Sequence, residues 1–477
     1  MKILAIDQGT TSTRALLHGD DGVLRPVMQR AHLQIRPAPG HVEHDPEEIL
    51  GHIAAAIDSS GADLVGIANQ GESCLAWDAQ DGRAISPVIV WQDDRTAGIT
   101  DALRRAGAGP EVQERAGLPL DPYFSASKLG WIMAHVPRAA ELHRMGRLRL
   151  GTTDAFFRDR LTGRHETDIA TASRTSLMDL SQGCWDETLC EIFGVPVNAL
   201  PRITENAGDL GRIGDGPILA ASIVDQQAAL YGHGCRSPGM AKLTLGTGAF
   251  VQCLTGELLR PARPGPLPTV AWQLPGEAVS HALDGAVYAA AAAVDWARSL
   301  GLFAEYDQIA RFAGEAAIDR GLVFLPALSG LACPHWDRRA RGAWIGLGLE
   351  HGPADMMQAV LEGIALRVAE AVQAMAELQP IAGLSVDGGM ARNDYLLGFL
   401  AGLLGQPVRR AAEVESTALG LVHMAMAGQG MSPPQPVAAD PIPSPPHDAE
   451  RAARRMAQFG QVREALSALA RSRPDES

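Results

Sequence analysis

Two short turns in the sequence combine glycine with hydroxyl-bearing residues, which suit the binding of phosphate, and a third turn combines glycine with aspartate. They occur in DQGTTS (residues 7–12), LGTG (245–248) and VDGG (386–389). Glycine lets backbone N–H groups approach an anion closely, and threonine and serine hydroxyls add further donors. One such turn is weak evidence, but the three together form a more specific set. The set predicts a site for a phosphorylated ligand.

Two common nucleotide-binding motifs are absent from the sequence. A P-loop needs a glycine–lysine pair followed by serine or threonine. None of the three lysines, Lys2, Lys128 and Lys242, follows a glycine. The dinucleotide fingerprint G-x-G-x-x-G does not occur either,. The turns must therefore bind phosphate by another arrangement.

Short strands are expected to position these turns. An apolar run leads into the first turn and another follows it, which predicts a strand–turn–strand unit,. The pattern recurs at residues 241–254, and this repetition predicts two domains of similar design, 1–232 and 233–431. The third turn follows a short strand and precedes a helix. The remaining residues, 432–477, are predicted to form a proline-rich linker and a C-terminal helix,.

The composition excludes several classes of protein. The chain has 477 residues, of which 46% are hydrophobic and 20% charged, which is typical of a globular protein,. Its formal net charge of −14 argues against binding to the phosphate backbone of a nucleic acid,. Its six cysteines form no C-x-x-C pair, and no apolar run is long enough for a signal peptide or a membrane span,. We therefore expect a cytoplasmic enzyme with no nucleic-acid or membrane partner.

The order of the turns and the segments between them resemble a known family. The order resembles the sugar kinase, Hsp70 and actin superfamily, where two phosphate hairpins precede an adenosine loop. Within it, the sequence resembles the FGGY carbohydrate kinases, and among these the glycerol kinases. The supporting segments are PGHVEHDPEEI, VWQDDRT, DPYFSASKLGWI, ASRTSLMDL, DQQAALYG, ALDGAVY and VDGGMARNDYLLGFLAGLLGQPV. The resemblance covers about residues 1–428. It implies an α/β fold with two ribonuclease H-like domains around a central cleft.

The resemblance also implies an activity, the Mg²⁺-dependent transfer of the γ-phosphate of ATP to a terminal hydroxyl of a small polyol. Such a reaction needs a carboxylate that accepts the hydroxyl proton. Asp225 matches that catalytic base, and Asp7 and Asp225 match the carboxylates that organise Mg²⁺. The positions that match the polyol pocket are Glu72, Trp91, Tyr123, Asp225, Gln226 and Phe250. The positions that match the ATP site are Thr10, Thr11, Ser12, Arg14, Gly246, Thr247, Gly248, Gly389 and Asn393.

One departure from the family pattern bears on the substrate. Where glycerol kinases usually carry N-Q-R-E, this sequence reads N-Q-G-E at residues 69–72, with Gly71 in place of a substrate-binding arginine. We therefore expect extra volume beside Glu72. Val224 likewise replaces a glycine of the family, just before the predicted base.

Two alternatives to a glycerol-type substrate stay open. One is the same reaction on a longer polyol or an open-chain sugar, such as a tetritol, a pentitol or a ketose. The other is a non-catalytic nucleotide-binding regulator of the same fold, against which the retained acidic residues argue. A homo-oligomer is compatible with the sequence.

Overall fold

The computed structural model describes residues 1–411, 415–434, 441–442 and 446–472. Within these ranges the strands are β1 Ile3–Gln8, β2 Ser12–His18, β3 Leu24–Ala31, β4 Glu43–His44, β5 Leu64–Asn69, β6 Cys74–Asp78, β7 Val88–Ile89, β8 Leu148–Thr152, β9 Glu166–Asp168, β10 Met178–Asp179, β11 Cys184–Trp185, β12 Arg202–Thr204, β13 Ile218–Val224, β14 Met240–Leu245, β15 Ala249–Gly256, β16 Leu267–Trp272, β17 Ser280–Val287, β18 Val323–Leu325, β19 Ala343–Ile345, β20 Gly383–Asp387 and β21 Val408–Arg410. The α-helices are α1 Pro46–Ser60, α2 Ala97–Arg105, α3 Gly109–Ala116, α4 Ser125–His135, α5 Pro137–Arg144, α6 Thr153–Thr162, α7 Ile169–Ala172, α8 Glu187–Phe193, α9 Asp225–Gly232, α10 Ala291–Ser299, α11 Pro353–Ala376, α12 Asp394–Leu404, α13 Ser416–Gly428 and α14 Ala449–Arg471. The fold is mixed α/β, as the sequence predicts.

Two mixed sheets dominate the architecture. The first has the strand order β13-β5-β1-β2-β3 and the second the order β16-β17-β15-β14-β20-β21. In the first sheet, β1 pairs antiparallel with β2 and parallel with β5. In the second, β14 pairs antiparallel with β15 and parallel with β20. Each sheet therefore contains a strand–turn–strand unit beside a parallel strand, so the two halves of the chain share one plan.

Helices cover both faces of the first sheet. Strand β1 is buried and apolar over its first four residues, which is typical of a strand with helices on both sides,. Its side chains alternate between the two faces. Ile3 and Ala5 join a core cluster with residues of α13, whereas Leu4 and Ile6 join another with residues of α1 and α6. The first sheet therefore has α13 on one face and α1 and α6 on the other, and these helices hold the central strands in place.

Helix α13 packs directly against α9 through two glycines. A Cβ atom at Gly232 would lie 1.9 Å from the backbone oxygen of Ser416. One at Gly420 would lie 1.9 Å from the backbone oxygen of Ala228. Because only glycine permits these approaches, the contact fixes the position of α9, the helix that follows β13.

The chain returns to the first sheet at α13. This helix lies within the predicted second domain, 233–431, yet it packs on β1, β5 and β13 of the first sheet. The domain limits themselves stay a prediction. The predicted proline-rich linker falls largely on residues 435–440 and 443–445, outside the described ranges.

Helix α14 docks on the second half of the molecule. It buries Phe459, and its arginines Arg455 and Arg463 pair with Asp319 and Glu370.

Among the described helices, none combines the length and the apolar character needed to cross a membrane.

Candidate active site

The carboxyl ends of three neighbouring strands bring the predicted acidic residues together. Strand β5 lies between β1 and β13, and all three run parallel. Asp7 is near the end of β1, and Val224, the residue before Asp225, is level with Asn69 at the end of β5. Asp7, Asp225 and the segment 70–72 therefore share one edge of the sheet. In sheets with parallel strands this edge is the usual place for a ligand.

Burial raises the pKa of both acidic residues at this edge. The pKa of Asp225 rises to about 7, chiefly because burial disfavours the charged form, with the charge of Asp7 adding to the shift and Lys242 opposing it. The pKa of Asp7 rises to about 6, again mainly through burial, with Glu415 adding to the shift and Arg14 opposing it. A carboxyl group with a pKa near 7 is suited to accept a proton at neutral pH.

The same two carboxyl groups fit a magnesium ion that keeps most of its water. Mg²⁺ prefers oxygen ligands, gives up its waters reluctantly and is often bound through one or two carboxylates plus substrate phosphates. Asp7 and Asp225 supply such a pair. Within the described residues, no group of three or more His, Cys, Asp or Glu side chains could hold a metal ion. The donor set therefore suits an ion that a bound nucleotide helps to hold.

The turn between β1 and β2 is tight and is connected to the predicted polyol pocket. The backbone nitrogen of Gly9 donates to the backbone oxygen of Ser12 at 3.0 Å, which closes the turn. Thr11 is exposed at its tip. The indole nitrogen of Trp91 donates to the hydroxyl of Thr10 at 2.9 Å. Trp91, predicted as part of the polyol pocket, thus also positions the predicted phosphate turn, so the two sites are adjacent.

Arg14 forms an ion pair with a residue from the second half of the chain. It lies on β2 as the register partner of Asp7. Its guanidinium is 2.7 Å from the carboxylate of Glu415, just before α13, and its side chain is 36% exposed. A phosphate group that binds Arg14 would therefore compete with Glu415 for the guanidinium.

Two aromatic rings form one wall of the predicted polyol pocket. The rings of Trp91 and Tyr123 meet edge to face, with centroids 5.4 Å apart. The pKa of Tyr123 is raised well above its usual value, mainly by burial and then by the negative charge of Glu72, with smaller contributions from Asp284 and Asp225. The Tyr123 hydroxyl therefore lies among the carboxylates of the pocket, which brings the aromatic wall close to the predicted base.

Gln226 connects the predicted base to the second sheet. Its backbone nitrogen donates to Asp225 Oδ1 at 2.6 Å, and its side-chain oxygen accepts a hydrogen bond from Lys242 Nζ. Lys242 also donates to Thr244 Oγ1 at 3.1 Å. The sequence gives no role to Lys242 beyond the exclusion of a P-loop, although a lysine inside an apolar strand is unusual enough to have signalled one.

An ion-pair network around Glu72 was also missed in the sequence. Arg174 Nε donates to Glu72 Oε1 at 2.7 Å, and Arg174 Nη2 lies 3.2 Å from Asp284 Oδ2. The three side chains are at most 12% exposed. Burial disfavours the charge on Arg174, but the two carboxylates outweigh it and raise the pKa of Arg174. Arg174 lies in the segment ASRTSLMDL and Asp284 in the segment ALDGAVY. A charged residue in a largely apolar segment was the available signal for a buried ion pair.

Val224 lies close to Gly71, where the sequence predicts extra volume beside Glu72. A Cβ atom at Gly71 would lie 3.0 Å from Cγ1 of the buried Val224, which is tighter than most real contacts of a Cβ atom. Val224 therefore occupies the direction in which a side chain at residue 71 would start. Gly71 does not have a positive φ, so the limit on a larger residue is steric. Glu72 does have a positive φ, 60°, and its backbone oxygen accepts a hydrogen bond from Ser125 Oγ at 3.0 Å.

The turn between β14 and β15 is connected to the start of α10. The backbone oxygen of Thr247 accepts hydrogen bonds from the backbone of Ala290 and Ala292 at 2.9 and 3.1 Å, and the side chain of Thr247 is exposed. Gly246 N donates to Gly248 O at 2.9 Å. Each turn residue thus has its backbone fixed while the threonine hydroxyl stays accessible. Half-buried Phe250 follows on β15, opposite Thr244 and Ala286.

The third turn places two glycines beside the second turn. Gly388 has a φ of 91°, and a Cβ atom there would lie 2.5 Å from the backbone oxygen of Leu245. A Cβ atom at Gly389 would meet nothing within 4 Å, so there is room for a ligand beside it. Asn393 caps α12 through Oδ1 and donates through Nδ2 to Ile309 O at 2.9 Å. Its side chain keeps one amide hydrogen and one lone pair of Oδ1 for the predicted contact with adenine.

Two family models match the chain. The model of the N-terminal domain of the FGGY family of carbohydrate kinases matches residues 2–220. The model of the C-terminal domain of that family matches residues 241–428. The two matches together account for most of the sequence.

Curated relatives match the chain over most of its length. The chain is 42% identical over 461 residues to a glycerol kinase of Citrifermentans bemidjiense, with 92% of each chain covered. It is 41% identical to a glycerol kinase of Aromatoleum aromaticum and 42% identical to one of Thermus brockianus, with 90% of each chain covered in both cases.

Solved structures of kinases share the fold. The glycerol kinase of Plasmodium falciparum with ADP superimposes with a TM-score of 0.89 at 25% identity, covering 98% of both chains. A xylulose kinase from Rhodospirillum rubrum gives a TM-score of 0.87 at 22% identity, covering 99% of this chain and 100% of that one. The predicted fold is confirmed, with two ribonuclease H-like domains of the sugar kinase, Hsp70 and actin superfamily around a central cleft.

Proposed function

The chain belongs to the FGGY family of carbohydrate kinases and is thus an ATP-dependent kinase with an alcohol acceptor, and we propose that this acceptor is glycerol. The observation that carries the proposal is the half-buried Asp225, whose raised pKa suits a proton acceptor, beside a pocket of aromatic rings and carboxylates. The similarity to curated glycerol kinases supports the identity of the acceptor. In this proposal a terminal hydroxyl of glycerol receives the γ-phosphate.

The N-terminal half supplies most of the acceptor site in this proposal, and Phe250 on β15 of the second sheet completes it. Asp225 accepts the proton of the attacking hydroxyl, a role that typically contributes about 10²–10⁴-fold to the rate. Trp91, Tyr123 and Phe250 pack against the carbon chain of the acceptor, and Glu72 and Gln226 bind its hydroxyl groups. Because these side chains come from loops at the edge of the first sheet and from β15 of the second, they enclose the acceptor and position its hydroxyl beside the base.

The two hairpin turns and the third turn supply the ATP site. Phosphoryl transfer depends on positioning and on donors and positive charge around the phosphate oxygens. We assign the phosphates to Thr10, Thr11, Ser12, Arg14, Gly246, Thr247 and Gly248, and the adenosine end to Gly389 and Asn393. The positive charge that Mg²⁺ supplies to the phosphate oxygens would be held by Asp7 and Asp225, mostly through water.

A longer polyol or an open-chain ketose is the second candidate acceptor. It is favoured by Gly71, which lacks the arginine that glycerol kinases usually carry there. Val224 works against it, because its side chain occupies the space toward which residue 71 would point.

A panel of acceptors separates the two candidates. ADP release would be measured with ATP, Mg²⁺ and either glycerol, four- and five-carbon polyols, or five-carbon ketoses, with the Asp225→Asn variant as a control for acceptor-independent ATP hydrolysis. We expect the highest kcat/KM with glycerol. A kcat/KM at least tenfold higher for a longer acceptor would refute glycerol and support the second candidate.

The proposal includes a cytoplasmic location and small-molecule partners only. All six cysteines, which lie within the described ranges, are free thiols, as expected in a reducing compartment,. The net charge of −14 disfavours a nucleic-acid partner,.

A further inference from the structure

Arg174 has one donor atom without a partner among the described residues. Its Nε donates to Glu72 Oε1 at 2.7 Å, and its Nη2 lies 3.2 Å from Asp284 Oδ2. Its Nη1 is buried and makes no hydrogen bond with any described residue. The buried arginines Arg158 and Arg367 also have one nitrogen without a partner among the described residues, in both cases Nε. In Arg174 the unpaired nitrogen is a terminal one, at the far end of the side chain.

The guanidinium of Arg174 lies where the two halves of the proposed acceptor pocket meet. Glu72 follows β5 of the first sheet, whereas Asp284 lies on β17 of the second, the strand that pairs with Phe250 on β15. The guanidinium also lies over the ring of Phe124, 5.5 Å from its centroid. Phe124 is adjacent in the chain to Tyr123, the residue whose ring meets Trp91. Arg174 thus pairs with the predicted pocket residue Glu72, and its ring contact Phe124 is next in the chain to the predicted pocket residue Tyr123.

We propose that Arg174 is a specificity-determining residue whose Nη1 donates a hydrogen bond to one hydroxyl oxygen of the acceptor. This rests on the proposed function, a small polyol as the acceptor. Glu72 and Asp284 hold the other two nitrogens, and because a guanidinium is planar, they fix the direction of Nη1. A hydroxyl oxygen has lone pairs that can accept this hydrogen bond.

This arrangement selects for acceptors that carry the matching hydroxyl. An acceptor without it leaves Nη1 buried and unpaired, and a buried donor without a partner is costly. Sites of this kind reject the analogue that lacks the hydrogen-bonding group. Arg174 would thereby supply an arginine contact to the acceptor, although Gly71 replaces the substrate-binding arginine that glycerol kinases usually carry.

The test compares glycerol with two diols that each lack one of its hydroxyls, propane-1,2-diol and propane-1,3-diol. In the wild type we expect kcat/KM to fall about 10- to 100-fold for the diol that lacks the hydroxyl bound by Nη1, the range for a hydrogen bond to a charged group. In Arg174→Lys, which keeps the charge but has a single nitrogen, we expect KM for glycerol to rise. The difference between glycerol and that diol should then fall below about threefold.

Arg158→Lys is the matched control. Arg158 is equally buried and pairs with Glu166 at 2.6 Å, but it lies outside the pocket. We expect this variant to keep the wild-type discrimination between glycerol and the diols, whatever its thermal stability. If Arg174→Lys also keeps that discrimination for both diols, the proposal is wrong.

A second variant covers the case in which Arg174→Lys does not fold. Asp284→Asn keeps the arginine but removes one of the two carboxylates that hold it. We expect KM for glycerol to rise about 3- to 10-fold in this variant, while the diol still reacts more slowly. An unchanged KM would contradict the proposal. Failure of the proposed function would differ, since the wild type would then transfer phosphate to none of the polyols.

Discussion

Replacing Asp225 with asparagine tests both the chemistry and the electrostatics of the site. The change removes the proton acceptor but keeps the size and polarity of the side chain. We expect kcat to fall about 10²–10⁴-fold, as is usual when a general base is lost. The affinity for ATP should stay within about twofold, because the hairpin turns that we assign to the phosphates are not altered.

The raised pKa of Asp225 gives this prediction a pH dependence. With a pKa of about 7, only a tenth of the free enzyme carries the ionised base at pH 6, so kcat/KM of the wild type should fall about tenfold from its plateau for each unit below pH 7,. The free energy of unfolding should change in the opposite direction and fall as the pH rises. Because the folded-state pKa is raised, this group stabilises the fold at low pH and loses that contribution as the pH rises through about 7,. The Asp225→Asn variant has no ionisable group at this position, so it does not lose stability in this way as the pH rises.

Thermal unfolding at two pH values measures this second effect. The melting temperature of Asp225→Asn should exceed that of the wild type at pH 8, and the difference should shrink at pH 5, where Asp225 is protonated. Asp58→Asn, on the exposed side of α1, is the control and should show no such change. A variant that retains more than a tenth of the wild-type kcat, or an equal melting difference at both pH values, would refute the assignment of Asp225 as a base with a raised pKa.

Three further changes test the remaining parts of the site. Thr247→Ile should weaken ATP binding about 3- to 10-fold in calorimetry, because it removes an exposed hydroxyl from the second turn; unchanged affinity would contradict its phosphate role. Gly71→Ala should lower the free energy of unfolding by about 1–3 kcal/mol through its contact with Val224, and the loss should at least halve in a Val224→Ala background, as measured by denaturant unfolding. Glu415→Gln should tighten ATP binding up to about fivefold by releasing Arg14 from a partly exposed ion pair, whereas weaker binding would show that Glu415 supports the site.

Much of the local structure was predictable from the sequence. The strand–turn–strand units at both sheets, the start of α1 at Pro46 and helix α14 all follow from apolar periodicity, proline position and glycine turns,. The position of α13 on the first sheet was not predictable. Nothing in its sequence states which sheet it covers, because that depends on the close approach of Gly232 and Gly420 to neighbouring backbone.

The site was predictable in its acidic residues and turns, but not in the partners that surround them. The family resemblance identified Asp7, Asp225 and Glu72 as candidates, and their common strand edge follows from the parallel pairing of β1, β5 and β13. The contacts of the buried Arg174 and Lys242 were missed. Arg174 binds Glu72, 102 positions away, and Lys242 binds Gln226, 16 positions away, and contacts at such separations leave no local pattern that identifies the partner.

The position that departs from the family shows why a pocket cannot be judged from one residue. At Gly71 the absence of a side chain suggests a larger pocket with one donor fewer. Yet the direction in which that side chain would start is filled by Val224, the last residue of a different strand. A guanidinium from a third segment, Arg174, is held beside Glu72, and one of its nitrogens has no partner within the described part of the chain. Volume and hydrogen-bonding capacity in this pocket therefore depend also on residues distant in sequence, so Val224 and Arg174 weigh against the longer acceptor that the loss of an arginine at residue 71 favours.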